Sequence, residues 1–126
     1  MTQDHPNIAL MKMLDPRDLD ASEQRFAETF VWHYINPNLP DLEGDYIGFE
    51  GLKRFFGALA GKTAGTFRVE PLSISAAGDE LVVTHVRDTM KLAGVETVVD
   101  AVVVWRIVGG KFAEAWDIPT AYTFPD

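Results

Sequence analysis

From Thr66 to Ile118 the chain is a succession of extended segments, Thr66–Ser75, Glu80–Leu92, Val95–Val108 and Lys111–Ile118, broken only by Ala77-Gly78-Asp79, Ala93-Gly94 and Gly109-Gly110. Valine, isoleucine, threonine and aromatic residues fill the segments, which is the composition of strands. Breaks this short can join only antiparallel neighbours, because a parallel crossover needs a dozen residues or more. This stretch is therefore committed to an antiparallel meander. Alternation fails once, at Glu70-Pro71, where Phe67 and Val69 give way to Leu72 and Ile74 on the opposite parity. A bulge or an edge position there restores the pattern.

The residues before the meander read differently. Asp4, Pro6, Ile8, Met11 and Leu14 predict a short opening helix with Asp15-Pro16 as its stop, and a second short helix ends in the twenties. Glu28–Ile35 is rich in aromatic and β-branched residues and forms the first strand. Asn36–Gly48 reads as a loop, and Leu52, Phe55, Phe56 and Leu59 recur at helical spacing in a third helix bracketed by Gly48 and Gly61. Helices ahead of a long meander give an α+β architecture, with the helices on one face of an antiparallel sheet. At 126 residues and 47% hydrophobic content the chain can bury one core, so residues 1–126 are taken as a single domain.

Several function classes are disfavoured. With no cysteine, disulfides, thiolate metal sites and a thiol nucleophile are excluded. The net charge of −8 opposes a phosphate backbone, so nucleic acid is not an expected partner. The opening residues do not read as a signal peptide and no segment has the length of a membrane span, so a soluble cytoplasmic protein without membrane contact is expected. The three histidines show no metal-ligand spacing, and neither a phosphate-binding glycine loop nor a Ser-His-Asp signature occurs. No metal and no cofactor are expected.

Three segments resemble a known family. Phe30-Val31-Trp32-His33, with Leu42 to Gly48 and the Phe55-Phe56 helix, is similar to the first strand, loop and third helix of SnoaL-like proteins in the nuclear-transport-factor-2-like superfamily. Gly78 to His85 resembles a strand entry of the polyketide-cyclase branch, and Val104 to Asp117, ending Glu-x-Trp-Asp, resembles its final hairpin. The resemblance implies a cone-shaped, curved antiparallel sheet with about three N-terminal helices enclosing a pocket, usually in a homodimer. Relatives include isomerases, cyclases, epoxide hydrolases, dehydratases and non-catalytic binding modules, so it implies a fold and leaves the activity open. Some cyclases of the family carry a histidine at the place of Val103, assisting an aspartate at the place of Asp117, and relatives often carry another at the place of Ala115. Both positions are apolar here.

Opposed residues of an antiparallel pair share a face, so turn lengths predict the pocket side. A two-residue Ala93-Gly94 turn sets Leu92 opposite Val95, Arg87 opposite Asp100 and His85 opposite Val102. A three-residue loop around Gly110 would set Ile107 opposite Lys111, Val103 opposite Ala115 and Ala101 opposite Asp117. One face then holds His85, Arg87, Asp100, Val102, Val104, Arg106, Glu114 and Trp116. The other holds Val82, Thr84, Val86, Val99, Ala101, Val103, Trp105, Ala113, Ala115 and Asp117, and is the pocket candidate. A two-residue Gly109-Gly110 turn would instead carry Asp117 to the charged face.

Asp117 and His33 are the candidate catalytic residues. In an apolar cavity Asp117 would be desolvated and able to exchange protons near neutrality; at a strand end it would instead bond to backbone or solvent. His33 could donate to a substrate carbonyl near the cone's closing loop, or bond to a backbone carbonyl. Tyr34, Phe55, Val103, Trp105 and Trp116 are candidate ligand contacts, though such aromatics also serve as core. The expected partner is a small apolar or polycyclic molecule. One reading is a cofactor-free isomerase, cyclase or dehydratase with Asp117 as general acid/base on an apolar carbonyl compound; the other is a non-catalytic ligand-binding or dimeric interaction module.

Overall fold

In a computed structural model describing residues 5–15 and 17–120, a six-stranded curled sheet carries the structure. Its strands are β1 (Phe26–Tyr34), β2 (Gly44–Ile47), β3 (Arg68–Ala77), β4 (Leu81–Leu92), β5 (Val95–Val108) and β6 (Lys111–Pro119), in the spatial order β2-β1-β6-β5-β4-β3. The helical elements are α1 (Pro6–Lys12), a 3₁₀ segment Leu19–Arg25, and α2 (Gly48–Lys62). The α+β class and the sequence-derived meander are thus observed, and no helix among the described residues is long and apolar enough to cross a membrane. Asp4 and Pro16, invoked for the start and stop of the first helix, lie outside the described residues.

Two features depart from the expectation. Gly44–Ile47, read as loop, is an edge strand pairing antiparallel with β1, Val31 opposite Ile47 and Tyr34 opposite Gly44. β1 in turn pairs parallel with β6, so one junction of the sheet is not antiparallel. Both arise from long-range pairing, which leaves no local mark on a four-residue segment rich in glycine and aspartate.

The meander register follows the turns. Ala93 and Gly94 both adopt positive φ in a two-residue turn, and Leu92↔Val95, Arg87↔Asp100 and His85↔Val102 pair as expected. The anticipated irregularity in β3 is a register shift between Pro71 and Ser73. At the last hairpin the turn differs. Gly109 (φ 60) and Gly110 (φ 78) form a two-residue turn of the I′ kind, with Val108 opposite Lys111. By itself this would have put Asp117 on the outer face. A bulge intervenes: Ile107 pairs with Phe112 but Arg106 with Glu114, so Ala113 is the extra residue. Parity is reversed once by the turn and once by the bulge, and Val103, not Ala101, faces Asp117. Phe112, rather than Ala113, joins the buried side.

The inner face of the sheet and α2 enclose the core. Phe30, Phe112, Ile107 and Val82 are fully buried, and Phe26, Phe30, Trp105 and Phe112 form a run of ring contacts. Leu52, Phe55 and Leu59 bury the inner stripe of α2, with the Phe55 ring 4.6 Å from Tyr34 and 5.5 Å from Trp32. The close seating of α2 needs Gly51, where a Cβ would lie 2.9 Å from the Tyr46 backbone carbon. On the outer face Arg87 Nε donates to Asp100 Oδ1 at 2.9 Å, and His85 Nε2 is 3.0 Å from Asp100 Oδ2.

The bulge makes a sharp prediction. Deleting Ala113 would turn Ala115 and Asp117 outward and drive Glu114 and Trp116 into the core, leaving a buried unpaired charge. Such changes cost several kcal/mol, a large fraction of the roughly 5–15 kcal/mol that holds a domain of this size. The deletion variant should lose its cooperative thermal transition in circular dichroism, whereas deleting Gly94 in the exposed β4–β5 turn should leave one.

Candidate functional site

β1 and β6 deliver the site's first acid. Alternation along β1 turns Trp32 and Tyr34 inward and His33 outward, and the parallel pairing places Tyr34 beside Asp117. Asp117 pairs with Val103, and Val103 with Thr84, so Tyr34, Asp117, Val103 and Thr84 form one transverse row on the inner face. The Thr84 hydroxyl is spoken for: it donates to the Val103 carbonyl at 3.1 Å.

β4 delivers the second acid. Val82, Thr84, Val86, Asp88 and Met90 are its buried set, so Asp88 continues the same inward stripe. Asp88 and Asp117 both line one cavity of about 300 Å³ together with Trp32, Tyr34, Phe55, Val103 and Trp105. Its lining also includes the apolar side chains of Met11, Leu14, Leu19 and Leu39. Among the described residues no lysine, arginine or histidine lines it.

The electrostatics follow from this enclosure. Among the described residues neither aspartate carboxyl receives a hydrogen bond, and Asp88 Oδ1 and Asp117 Oδ1 are buried without a partner. Burial, aided by the charge of Asp100, pushes Asp88 up to about 7. Burial, aided by the charge of Asp88, holds Asp117 well above the usual carboxylate range. Tyr34 is pushed up to about 12, chiefly by burial. Asn36 Nδ2 donates to the Tyr34 oxygen at 2.9 Å, so the phenol's own hydrogen remains available as a donor. Trp32 Nε1 is a further buried donor without a partner. The cavity thus offers two carboxyls held above the usual carboxylate range and two neutral donors, in aromatic surroundings.

The family profile of the SnoaL-like domain matches residues 8–115. The chain belongs to the SnoaL-like domain family. No protein of curated function matches it in sequence. Among solved structures, this SnoaL-like domain is similar to Bal32a from a soil-derived mobile gene cassette, at TM-score 0.77 and 22% identity over 90% of this chain and 86% of that one. TerC, co-crystallised with polyporic acid, is similar at TM-score 0.73 and 21% identity over 90% of each chain. A candidate isomerase from Rhodopseudomonas palustris is similar at TM-score 0.64 and 15% identity, over 96% of this chain and 93% of that one. At these identities the likeness is one of fold.

Of the residues singled out in this SnoaL-like sequence, the structure brings Asp117, Tyr34, Phe55, Val103 and Trp105 together in the cavity. His33 and Trp116 lie elsewhere. His33 faces outward, its Nδ1 2.7 Å from Asp45 Oδ1 and its Nε2 2.6 Å from Glu114 Oε2, with its ring stacked on Trp116. Burial works to lower its pKa and is outweighed by the hydrogen bonds to Asp45 and Glu114, which raise it. The expected place of His33 beside the substrate is therefore corrected, because strand parity opposes it to Trp32 and Tyr34. Trp116, a candidate ligand contact, is likewise outside the cavity lining, on the charged face to which the turn-derived register assigns it, and packs under Arg106, 5.5 Å from its ring centroid. Sequence reasoning missed Asp88. Extending the Val82-Thr84-Val86 alternation by two residues would have found it.

Raised carboxyl pKa values tie stability to pH with a definite sign. A group whose folded pKa exceeds its unfolded value of about 3.9 contributes stability that is full below that value and is lost as pH rises toward the folded pKa. For Asp88 the window runs from about pH 4 to 7, at up to about 1.4 kcal/mol per pH unit. Asp88→Asn and Asp117→Asn should therefore gain stability relative to wild type as pH rises across that window. Urea unfolding at several pH values checks this, and parallel curves would contradict it.

Proposed function

We propose that this SnoaL-like domain binds a small apolar carbonyl compound and moves a proton next to the carbonyl without a cofactor, as an isomerase, cyclase or dehydratase does. The observation that supports the reading is the convergence of Asp88, Asp117 and Tyr34 on one apolar cavity. A carboxyl that titrates near neutrality can take a proton from carbon and return it, since the best catalytic pKa lies near the working pH. Asp88, pushed to about 7, has that property. Asp117, held protonated by burial and by Asp88, acts as the general acid: its proton stabilises the enolate oxygen as charge develops there. Tyr34 adds a neutral donor on the same side of the sheet. The C–H bond breaks to Asp88, the oxygen is held by Asp117 or Tyr34, and proton return at a different carbon gives the isomer.

The test is deuterium exchange into 2-tetralone, a flat apolar ketone with acidic flanking C–H bonds. Wild type should exchange these positions faster than a buffer blank, with a rate that rises from pH 5.5 and levels above about 7 as Asp88 ionises. Asp88→Asn should lower the rate by about 10²-fold or more, the usual contribution of a positioned base, and Asp117→Asn should lower it too. Exchange at the blank's rate would leave the cavity a binding site without turnover.

The outer face supports a second, assembly-level proposal. Val102 and Ile118 are paired neighbours, 39% and 42% exposed, and Val98 on the same strand as Val102 is 63% exposed. Valines standing free on an open sheet face are an unfavourable surface for a monomer. We propose that this face is covered by a second copy of the chain. Sedimentation should show a species of twice 14.0 kDa at micromolar concentration, and Val98→Lys with Val102→Lys should convert it to monomer. A monomer in the wild type would contradict this.

A further inference from the structure

The proton-transfer reading uses the two carboxyls as acids and bases, and does not use their charge. The cavity's lining carries an unbalanced sign: two aspartates and, among the described residues, no basic side chain. Both aspartates are more than nine-tenths buried, 8% and 9% exposed, and each has an oxygen without a partner. Buried carboxyls in proteins are ordinarily paired.

The rest of the lining suits the same guest. Trp32, Tyr34, Phe55, Phe56 and Trp105 present aromatic rings, which attract cations through their faces and accept apolar bodies. The net charge of −8 concentrates cations near the molecule and repels anions. We propose that the cavity selects its ligands by charge and takes a hydrophobic amine, with the ammonium ion-paired to Asp88 and Asp117 and the apolar body against the aromatic rings. The inference rests on the same cavity as the proton-transfer reading but requires no turnover.

The physics fixes the direction of each observable. An ammonium entering the cavity favours the ionised carboxyls, so protons leave as the amine binds. The groups facing it are Asp88 of β4, and Asp117 of β6 with Tyr34 of β1; the raised carboxyls of Asp88, at about 7, and Asp117 are the two that ionise as the amine enters, while Tyr34 stays neutral. Affinity for an amine that stays protonated should therefore strengthen between pH 6 and 8. A carboxylate ligand would meet two like charges and should be rejected.

Three ligands of one shape test this: 1-naphthylmethylamine, 1-naphthylmethanol and 1-naphthoate, titrated by calorimetry in two buffers of different ionisation enthalpy. At pH 7 the amine should bind at least about tenfold more tightly than the alcohol, with net proton release, and the naphthoate should bind worst. Asp88→Asn and Asp117→Asn should each weaken the amine about tenfold and leave the alcohol within about twofold. The wild-type series stands alone if either variant fails to fold. Equal or tighter binding of the alcohol, or the tightest binding by the naphthoate, overturns the proposal, as does an amine preference that survives in both variants. If 2-tetralone exchanges and the amine preference is absent, only the charge-selection proposal falls. If the amine binds with proton release and the ketone does not exchange, only the proton-transfer reading falls.

Discussion

The pairing of β5 with β6 determines what the rest of the molecule can be. β5 is the strand against which β4 and β6 are both registered, and a shift of one residue on β6 would exchange its inner and outer faces. The two glycines at 109 and 110 set one parity and the extra residue at Ala113 resets it. Because of that second step, Ala115 can lie under Trp105, Asp117 beside Val103, and Glu114 and Trp116 outside with Arg106 and His33. The parallel contact with β1 then carries the same parity one strand further, bringing Trp32 and Tyr34 inward.

Enclosing two aspartates in such a space has consequences that need no ligand to state. Each carboxyl loses water and gains no hydrogen bond from the described residues, so each holds its proton to higher pH than a surface aspartate would. The outer face shows the opposite regime with the same residue type. Asp100 accepts from Arg87 and His85, and those bonds hold it below the usual range. One sheet thus carries aspartates of opposite tendency on its two sides, separated by its own thickness. Stability is sacrificed on the inner side, a pattern associated with sites that bind or react.

How far the sequence disclosed this depends on whether the signal is local. Val95–Val108 is a strand with the expected bounds, and Leu81–Leu92 differs from the expected segment by one residue, since alternation and glycine turns are short-range properties. The helix at 48–62 was equally legible from its apolar spacing and flanking glycines. β2 was not, because Gly44-Asp45-Tyr46-Ile47 becomes a strand only by lying against β1. Nor was the parallel β1–β6 contact, which joins segments about eighty residues apart. At the site, Asp117 was found on the cavity side through a turn that proved different and a bulge that compensated. His33 and Trp116, named as candidate site residues, do not line the cavity: strand parity, applied to Trp32-His33-Tyr34, points His33 away from it, and the turn-derived register sets Trp116 on the charged face. Asp88 was passed over, being charged where the alternating stripe was being traced by apolar residues.

Carbon-13 NMR of the aspartate side-chain carboxyls, titrated from pH 4 to 9, reads the protonation of Asp88 and Asp117 in the folded domain. A pair of resonances should stay in the protonated range after the surface aspartates have ionised, one of them with a midpoint near 7, and should be lost one at a time in Asp88→Asn and Asp117→Asn. Titration of every aspartate carboxyl below about pH 5 would contradict it, because it would mean that Asp88 and Asp117 are solvated or paired and that the cavity has no acid to use.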